Sequence, residues 1–316
     1  MDSIRFQKLT DIPVPSSGYS LVANSVANDG SLLFLSIEQA GTDAVRETYA
    51  SGIGIFPKTR MKEAKRFHLS IWRATSPLQT IDLPELDLTF PLVDMFPDGR
   101  ILVVGPRCSW RGDEDYDLNG VVFDPKRAKL SRILLGDGIN SAYVDALGRI
   151  WVAYGDEGIF GNFGWGSPGP APVGAAGLVC FTETGEKIWE YPADSNGMMA
   201  DCYALNVSGS EATIFFYTDF PICRVSSKFD LSYWKTELSG CHEFAISRDV
   251  VLFSGEYNDP PDAAYLGRFE THGHMDARQV RLFLPDGSCL PKGQLLGRGK
   301  HLYFFDALSV YRASLD

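Results

Sequence analysis

Hydrophobic residues recur along the chain in pairs of runs. Each pair has an apolar run, a tight turn and a second apolar run that stops at a polar or acidic residue. The pattern occurs six times, at 21–38, 90–107, 139–157, 201–219, 242–256 and 293–306. Apolar runs bounded by turn residues indicate β-hairpins, and a hairpin repeated every roughly 40 to 50 residues is typical of propeller blades. The sequence therefore predicts an all-β fold, a six-bladed β-propeller with four-stranded blades in a single domain spanning residues 1–316.

The remaining strands follow the same period. GVVFD, GLVCF, ICRVS and SVYRAS are predicted third strands, and SRILLG, KIWEYP, YWKTEL and VRLFL are predicted fourth strands. The last blade has only three strands before the chain ends, and an open sheet edge invites aggregation. We therefore expect residues 4–9 to close the ring by pairing near Val310. Three long stretches are predicted to be insertions that follow second strands: 39–66, 155–176 and 257–277.

Composition narrows the classes of partner. The net charge of −11 disfavours nucleic acid, which requires a basic surface. A local basic stretch at 58–66 is predicted to be a solvated loop or a short helical face. The longest apolar runs fall far short of the ~20 residues of a membrane helix, so no membrane partner is expected. The N-terminus lacks the apolar run of a secretory signal. We therefore expect a cytoplasmic protein whose six cysteines are reduced.

Polar residues end the second strands. In a four-stranded blade these ends lie on the face opposite the tight turns, so we expect them to meet at one face of the propeller. They are Glu38, Arg107, Asp156, Glu157, Asp219, Glu256 and Asp306. The starts of the inner strands should approach the same face and offer Asn140, Asp201, His242 and Glu243. Converging carboxylates raise one another's pKa or attract a cation, which predicts a metal or cationic-ligand site. Alternatively, the same residues cap loop amides or pair with arginines.

The segment 155–177 carries three aromatic residues among glycines and prolines. Phe160, Phe163 and Trp165 form either a lid over the channel mouth or a loop packed on the blade below. The acidic stretch 107–120 lacks the EF-hand ligand pattern and is predicted to be a solvated loop. The predicted ligand-binding residues are Asn140, Glu157, Phe160, Phe163, Trp165, Glu256, Asp306 and Arg107.

Two further motifs are expected to be structural. His272 and His274 have the spacing of a zinc pair, but they lie between a third and a fourth strand without other ligands, which favours a turn. Cys241 and His242 are adjacent, and neighbouring residues of a strand point to opposite faces. A cysteine nucleophile activated by this histidine is therefore disfavoured.

Two segments carry a family resemblance. INSAYVDALGRIWVAY (139–154) and DCYALNVSGSEATIFFYTD (201–219) resemble inner-strand motifs of the regucalcin/gluconolactonase-like six-bladed propellers. The resemblance implies that Asn140 faces the substrate and that Asp201 and His242 stand where that family has metal ligands, so it implies a divalent metal ion. The chain departs from the pattern in three places: Asp201 replaces an asparagine, His242 replaces an aspartate, and SGYSLVANS lacks the family's glutamate.

Two functional hypotheses remain. In the first, an acidic, aromatic-lidded face binds a small molecule, a peptide or a basic protein. In the alternative, the protein is a metal-dependent, lactonase- or esterase-like hydrolase. Asp201, His242 and Asn140 would then hold a divalent metal ion, while Asp219 or Asp156 takes a proton from water. The incomplete set of metal ligands favours binding, and whether the protein is an enzyme stays open.

Overall fold

The computed structural model describes residues 3–52, 54–193 and 197–316. Six mainly antiparallel sheets, five with four strands and one with five, follow one another along the chain and are the blades of a six-bladed β-propeller, which confirms the predicted fold class. Contacts between residues divide the chain into unit 1, Met1–Ile12 with Ala193–Asp316, and unit 2, Pro13–Pro192. The chain begins with two short strands of unit 1, β1 (Ser3–Arg5) and β2 (Gln7–Asp11).

Unit 2 contains blades 1 to 3. Blade 1 is formed by β3 (Tyr19–Val26), β4 (Leu32–Glu38), β7 (Arg60–Arg73) and β8 (Ser76–Leu88), with a separate hairpin of β5 (Thr48–Ser51) and β6 (Gly54–Pro57). Blade 2 is formed by β9 (Leu92–Met95), β10 (Ile101–Val104), β13 (Gly120–Asp124) and β14 (Lys129–Ile133), with a hairpin of β11 (Trp110–Gly112) and β12 (Asp115–Tyr116). Blade 3 is formed by β15 (Ile139–Val144), β16 (Ile150–Tyr154), β17 (Leu178–Phe181) and β18 (Lys187–Glu190), and helix α1 (Asp156–Phe160) follows β16.

The core of unit 2 lies around the second strands. Strands β4, β10 and β16 are buried along almost their whole length, so the side chains on both faces of each strand are removed from water. This explains their continuous apolar sequences, since each large side chain removed from water contributes about 1.5–3 kcal/mol. Asp94 is fully buried and ties two blades together: its carboxylate accepts hydrogen bonds from the backbone N–H of Met95 and of Val144, both at 2.7 Å.

Unit 1 contains blades 4 to 6. Blade 4 is formed by β19 (Asp201–Ser208), β20 (Glu211–Tyr217), β21 (Ile222–Val225) and β22 (Leu231–Trp234). Blade 5 is formed by β23 (Phe244–Ser247), β24 (Val250–Ser254), β25 (Ala263–Phe269) and β26 (Met275–Phe283). Blade 6 is formed by β27 (Gln294–Arg298), β28 (His301–Phe305), β29 (Ser309–Ser314) and the N-terminal strand β2.

The N-terminal strand closes blade 6 as predicted. β2 pairs antiparallel with β29, and Thr10 lies opposite Val310. The predicted strand 4–9 is divided at Phe6, whose side chain is completely buried in the core of unit 1. The residues before Phe6 form β1, which pairs in parallel with β26 as a fifth strand of blade 5. The first residues therefore hold two blades rather than one.

Asn206 joins the three blades of unit 1. Its Nδ2 donates hydrogen bonds to the carbonyl oxygens of Phe244 at 2.7 Å and Gly299 at 3.1 Å. Its Oδ1 accepts the N–H of Gly299 at 2.8 Å. The side chain is buried, so one amide satisfies backbone groups that would otherwise lose their hydrogen bonds to water.

The predicted connections are confirmed only in part. Residues 39–59, which carry the β5–β6 hairpin, and 155–177, which carry α1, are long connections between a second and a third strand. The rest of 39–66 is the first half of β7, and 257–277 contains the whole of β25. The basic stretch 58–66 is mostly the start of β7 rather than a loop or a helical face. The stretch 107–120 is not fully solvated, because Cys108, Asp117 and Asn119 are buried.

The amphipathic character of these strands explains the error. In β7 and β25 charged or small residues separate the apolar ones, so no continuous apolar run marks them. Within the described parts of the chain, no helix is long and apolar enough to cross a membrane.

Candidate functional site

The first strands of blades 1, 3 and 4 each carry a β-bulge near their start. The register with the neighbouring strand skips one residue in each: Val22 in β3, Asn140 in β15 and Tyr203 in β19. A bulge re-aims the side chain of the extra residue and is frequent next to functional sites. By this register Tyr203, rather than Asp201, occupies the position equivalent to Asn140.

Tyr203 lies at the centre of an aromatic group in unit 1, which we call the tyrosine cluster: Tyr203, Tyr217, Phe220, His242 and Tyr257. The Tyr203 ring stacks on the His242 imidazole with centroids 5.1 Å apart. It meets the edges of Phe220 at 5.2 Å and Tyr257 at 5.9 Å. The Tyr257 hydroxyl donates a hydrogen bond to the Tyr203 hydroxyl. Residues from blades 4 and 5 thus form one contiguous aromatic surface.

The cluster faces solvent but rests on buried rings. Tyr257 is 54% exposed and Tyr217 is 46% exposed. Beneath them Phe220 stacks on the buried Phe215 at 5.2 Å. Tyr257 lies against Gly240, where an added Cβ would come within 2.4 Å of the ring. The exposed rings are therefore held in place by close contacts.

Carboxylates flank the tyrosine cluster. Asp201 stands directly opposite Tyr217 in the β19–β20 ladder, which places the two side chains on the same face. Asp219 lies between Tyr217 and Phe220 in the chain, and Glu256 precedes Tyr257. Burial raises the pKa of the nearby Cys241 thiol, and the charges of Glu256 and Asp259 add to the rise.

The imidazole of His242 is neutral at pH 7. Partial burial lowers the pKa of His242, and below that pKa the ring would gain a positive charge. At neutral pH the tyrosine cluster therefore combines uncharged rings with neighbouring negative charges. This arrangement suits an organic cation, because aromatic faces and carboxylates both attract positive charge.

Glu243, the residue after His242, lies in a different environment. Burial of its carboxyl group raises the pKa of Glu243 to about 8, and a hydrogen bond from the backbone N–H of Gly297, at 2.7 Å, opposes the rise. Its carboxyl group therefore anchors blade 5 to blade 6. From the sequence alone, Glu243 could not be distinguished from the other predicted carboxyl groups as the buried one.

In unit 2, Arg107 is buried within an ion-pair network. Its Nε and Nη2 donate to the two carboxylate oxygens of Asp137, both at 2.9 Å, and its Nη1 donates to Glu157. Its guanidinium group lies over the Phe163 ring, 4.5 Å from the centroid. Burial raises the pKa of Asp137, and the charge of Arg107 opposes that rise. Arg107 thus positions Glu157 and Phe163.

The three aromatic residues of 155–177 have different surroundings. Trp165 is buried, and its Nε1 donates to the carbonyl of Cys108 at 2.9 Å. Phe163 is half-buried against Arg107. Phe160, at the end of α1, is 60% exposed. Two of the three therefore pack within unit 2, and Phe160 alone among them is largely exposed.

Several of the strand-end carboxylates accept hydrogen bonds from nearby backbone N–H groups. Asp306 accepts those of Leu308 and Ser309 at 2.7 and 2.6 Å, and Asp156 accepts that of Glu157 at 2.7 Å. Glu256 accepts the N–H of Ser239 at 2.7 Å and its hydroxyl at 2.9 Å, and Glu38 accepts the N–H of Arg66 at 3.4 Å. These bonds match the loop-capping alternative, while Asp219 lies in left-handed backbone at φ +63°.

The residues of the predicted metal set belong to both units: Asp201 and His242 to unit 1, Asn140 to unit 2. Within residues 3–52, 54–193 and 197–316, no group of three or more His, Cys, Asp or Glu side chains is placed to hold a metal ion. The metal site and the catalytic roles of Asp219 and Asp156 remain predictions. The predicted turn at His272 and His274 is confirmed between β25 and β26.

Sequence reasoning missed four members of the tyrosine cluster. It identified His242 from its place before an inner strand but followed charges rather than aromatic rings. A signal was present in the sequence: Tyr217 ends β20 two residues before Asp219, and Tyr257 directly follows Glu256 after β24. Tyr203 could not be recognised, because its orientation depends on the bulge in β19.

Comparison with known proteins gives a partial family match. Residues 173–313 match the model of the YxzG family, which is less than half of the chain. No curated protein matches the sequence.

Similar solved structures are β-propellers of several kinds. A streptogramin B lyase has a TM-score of 0.49 at 12% identity, covering 98% of this chain and 97% of its own. Virginiamycin B lyase from Staphylococcus aureus has a TM-score of 0.48 at 11% identity, covering 94% and 95%. A gluconolactonase-like protein has a TM-score of 0.45 at 11% identity, covering 98% and 92%. At these values neither the activity nor the site residues of these proteins transfer to this chain, and its family within the propellers is not decided.

Proposed function

We propose that this protein binds a cationic organic group at the tyrosine cluster, carried by a small molecule, a peptide or a basic protein. The observation that carries the proposal is the contact of the Tyr203, His242 and Tyr257 rings, with Asp201 opposite Tyr217 in the β19–β20 ladder. An ammonium or guanidinium group over a tyrosine face gains about 0.5–2 kcal/mol. Flanking carboxylates add Coulomb attraction and speed the encounter with a positively charged partner.

The rings of the tyrosine cluster are preorganised for ligand binding. Gly240 and the Tyr203 hydroxyl fix Tyr257, and Phe215 supports Phe220. Because the rings already occupy their positions, little side-chain entropy is lost when a ligand arrives. Tyrosine also contributes a large contact area for few rotatable bonds.

Calorimetric titration of the full chain with three probes of similar size tests the proposal: tetramethylammonium, neutral tert-butanol and acetate. The proposal requires binding of the cation alone, with an affinity that falls as salt screens the carboxylates. Tyr257→Ala should lower the affinity for tetramethylammonium about two- to thirty-fold, which corresponds to the loss of one cation–π contact. Tyr257→Phe should retain most of the affinity, because the ring face remains.

The matched control is Tyr116→Ala, which removes another exposed tyrosine from β12 of unit 2. It should leave the affinity unchanged. Equal affinities for tert-butanol and tetramethylammonium, or equal losses in Tyr257→Ala and Tyr116→Ala, would contradict the proposal.

A further inference from the structure

A cavity of about 390 Å³ lies in unit 2 and is separate from the tyrosine cluster. Its wall combines the β5–β6 hairpin, the start of β7, the 107–120 connection and Phe163. The residues that decide its chemistry are Tyr49, Lys58, Arg60, Arg111, Asp117 and Phe163. Its volume is within the range of pockets that hold small molecules.

The charge of the wall is opposite to that of the chain. Three cationic side chains and one carboxylate line the cavity, whereas the whole protein carries a net charge of −11. The carboxylate, Asp117, is buried and is used internally. Its Oδ1 forms an ion pair with Arg60 Nε at 2.9 Å and accepts a hydrogen bond from Arg111 Nη2 at 3.0 Å, and its Oδ2 accepts the N–H of Ser109 at 2.9 Å. Asp117 thereby fixes the orientation of two guanidinium groups.

The other ion pairs of these cations are at least partly exposed. Arg111 also pairs with Asp115 at 2.8 Å, Arg60 lies 3.6 Å from Asp87, and Lys58 pairs with Glu47. Asp115 and Glu47 are 64% and 38% exposed. Ion pairs in such surroundings contribute at most about 1 kcal/mol. A ligand anion can therefore replace Asp115 or Glu47 at little cost, while the buried bonds to Asp117 persist.

Two aromatic rings form the apolar part of the wall. The rings of Tyr49 and Phe163 meet edge to face with centroids 6.2 Å apart. The guanidinium group of Arg107 covers the Phe163 ring at 4.5 Å, and the Phe163 carbonyl accepts the N–H of Trp110 at 2.9 Å. Phe163 is thus held rigidly beside the cationic groups.

We propose that this cavity binds an anionic group, a carboxylate or a phosphate, attached to a planar ring. Arg60, Arg111 and Lys58 bind the anion, and Tyr49 with Phe163 contacts the ring. Arginine suits this role because its planar fork donates two parallel hydrogen bonds to carboxylate or phosphate oxygens. The site is independent of the tyrosine cluster and uses the opposite ligand charge.

The test is calorimetric titration of the full chain with phenyl phosphate, benzoate, inorganic phosphate and benzylamine. Phenyl phosphate or benzoate should bind, inorganic phosphate should bind more weakly because it lacks the ring, and benzylamine should not bind at this cavity. The stronger of the two aromatic anions identifies the anionic group. Affinity should fall with salt.

Arg111→Gln is the decisive variant, because Arg60 still neutralises the buried Asp117. It should lower the affinity for the aromatic anion about ten-fold, which corresponds to the loss of one charge-assisted hydrogen bond. Arg66→Gln is the matched control: it removes a charge on β7 whose side chain is 67% exposed, and it should leave the affinity for the aromatic anion unchanged. Tyr49→Ala breaks no ion pair and should also weaken binding of the aromatic anion. It provides the test if Arg111→Gln fails to fold. Equal affinities in wild type, Arg111→Gln and Tyr49→Ala, or binding of benzylamine that competes with phenyl phosphate, would overturn the proposal.

Discussion

The buried carboxyl group of Glu243 should make the stability of this protein fall as pH rises. Its pKa is raised from 4.5 to about 8 in the folded chain, so the folded state retains the proton over a range in which the unfolded state has lost it. The stabilising contribution is complete below pH 4.5 and is lost as pH rises through about 8. Each pKa unit corresponds to about 1.4 kcal/mol, so a rise of three to four units corresponds to about 5 kcal/mol.

Glu243→Gln isolates this effect, because the amide cannot ionise and its oxygen can still accept the N–H of Gly297. We expect the free energy of unfolding of wild type, minus that of Glu243→Gln, to decrease by about 5 kcal/mol between pH 4 and pH 9. Urea unfolding at a series of pH values measures the difference, and a constant offset from the substitution cancels. Glu211→Gln, at an exposed glutamate of the same unit, is the matched control. Parallel curves for wild type and Glu243→Gln would refute the reasoning.

Three further predictions concern unit 1. Phe6→Ala should destabilise the protein by about 3–5 kcal/mol, because the Phe6 side chain is fully buried. Deletion of residues 1–10 should lower the melting temperature by many degrees, because β2 completes blade 6. Thermal unfolding measures both effects. Gly240→Ala should displace the Tyr257 ring and weaken tetramethylammonium binding, whereas Gly209→Ala, also at positive φ but with open space around it, should cost stability alone. Lowering the pH well below 6.5 should weaken tetramethylammonium binding, because His242, whose pKa is lowered from 6.5 by partial burial, then gains a proton. Titration at a series of pH values should show this loss reduced in His242→Phe.

Strands with continuous apolar sequences were predictable because burial on both faces leaves a direct trace in the sequence. All six hairpins were confirmed, as was the pairing of residues near Val310 with the N-terminal strand. β7 was missed because only part of its surface is buried, so charged residues interrupt the pattern, and β25 was missed because it is short and contains several small residues. Phe6 explains why the N-terminal strand divides: a fully buried ring stands between β1 and β2, which pair with different blades.

The candidate sites were less predictable for two physical reasons. Their residues come from distant parts of the chain, as with Tyr203, His242 and Tyr257, so no local motif exists. Their orientation also depends on irregular backbone, such as the bulge that aims Tyr203. Charge alone was a poor guide, since carboxylates such as Asp306 accept hydrogen bonds from backbone groups that follow them in the chain.

The most direct test of the central claim is nuclear magnetic resonance of the full chain with labelled tyrosine rings, titrated with tetramethylammonium. Tyr→Phe variants assign the signals. We expect saturable shifts of the Tyr203 and Tyr257 ring signals, with the Tyr116 signal unchanged. Unchanged signals from Tyr203 and Tyr257, or equal shifts of all exposed tyrosines including Tyr116, would contradict binding of a cation at the tyrosine cluster.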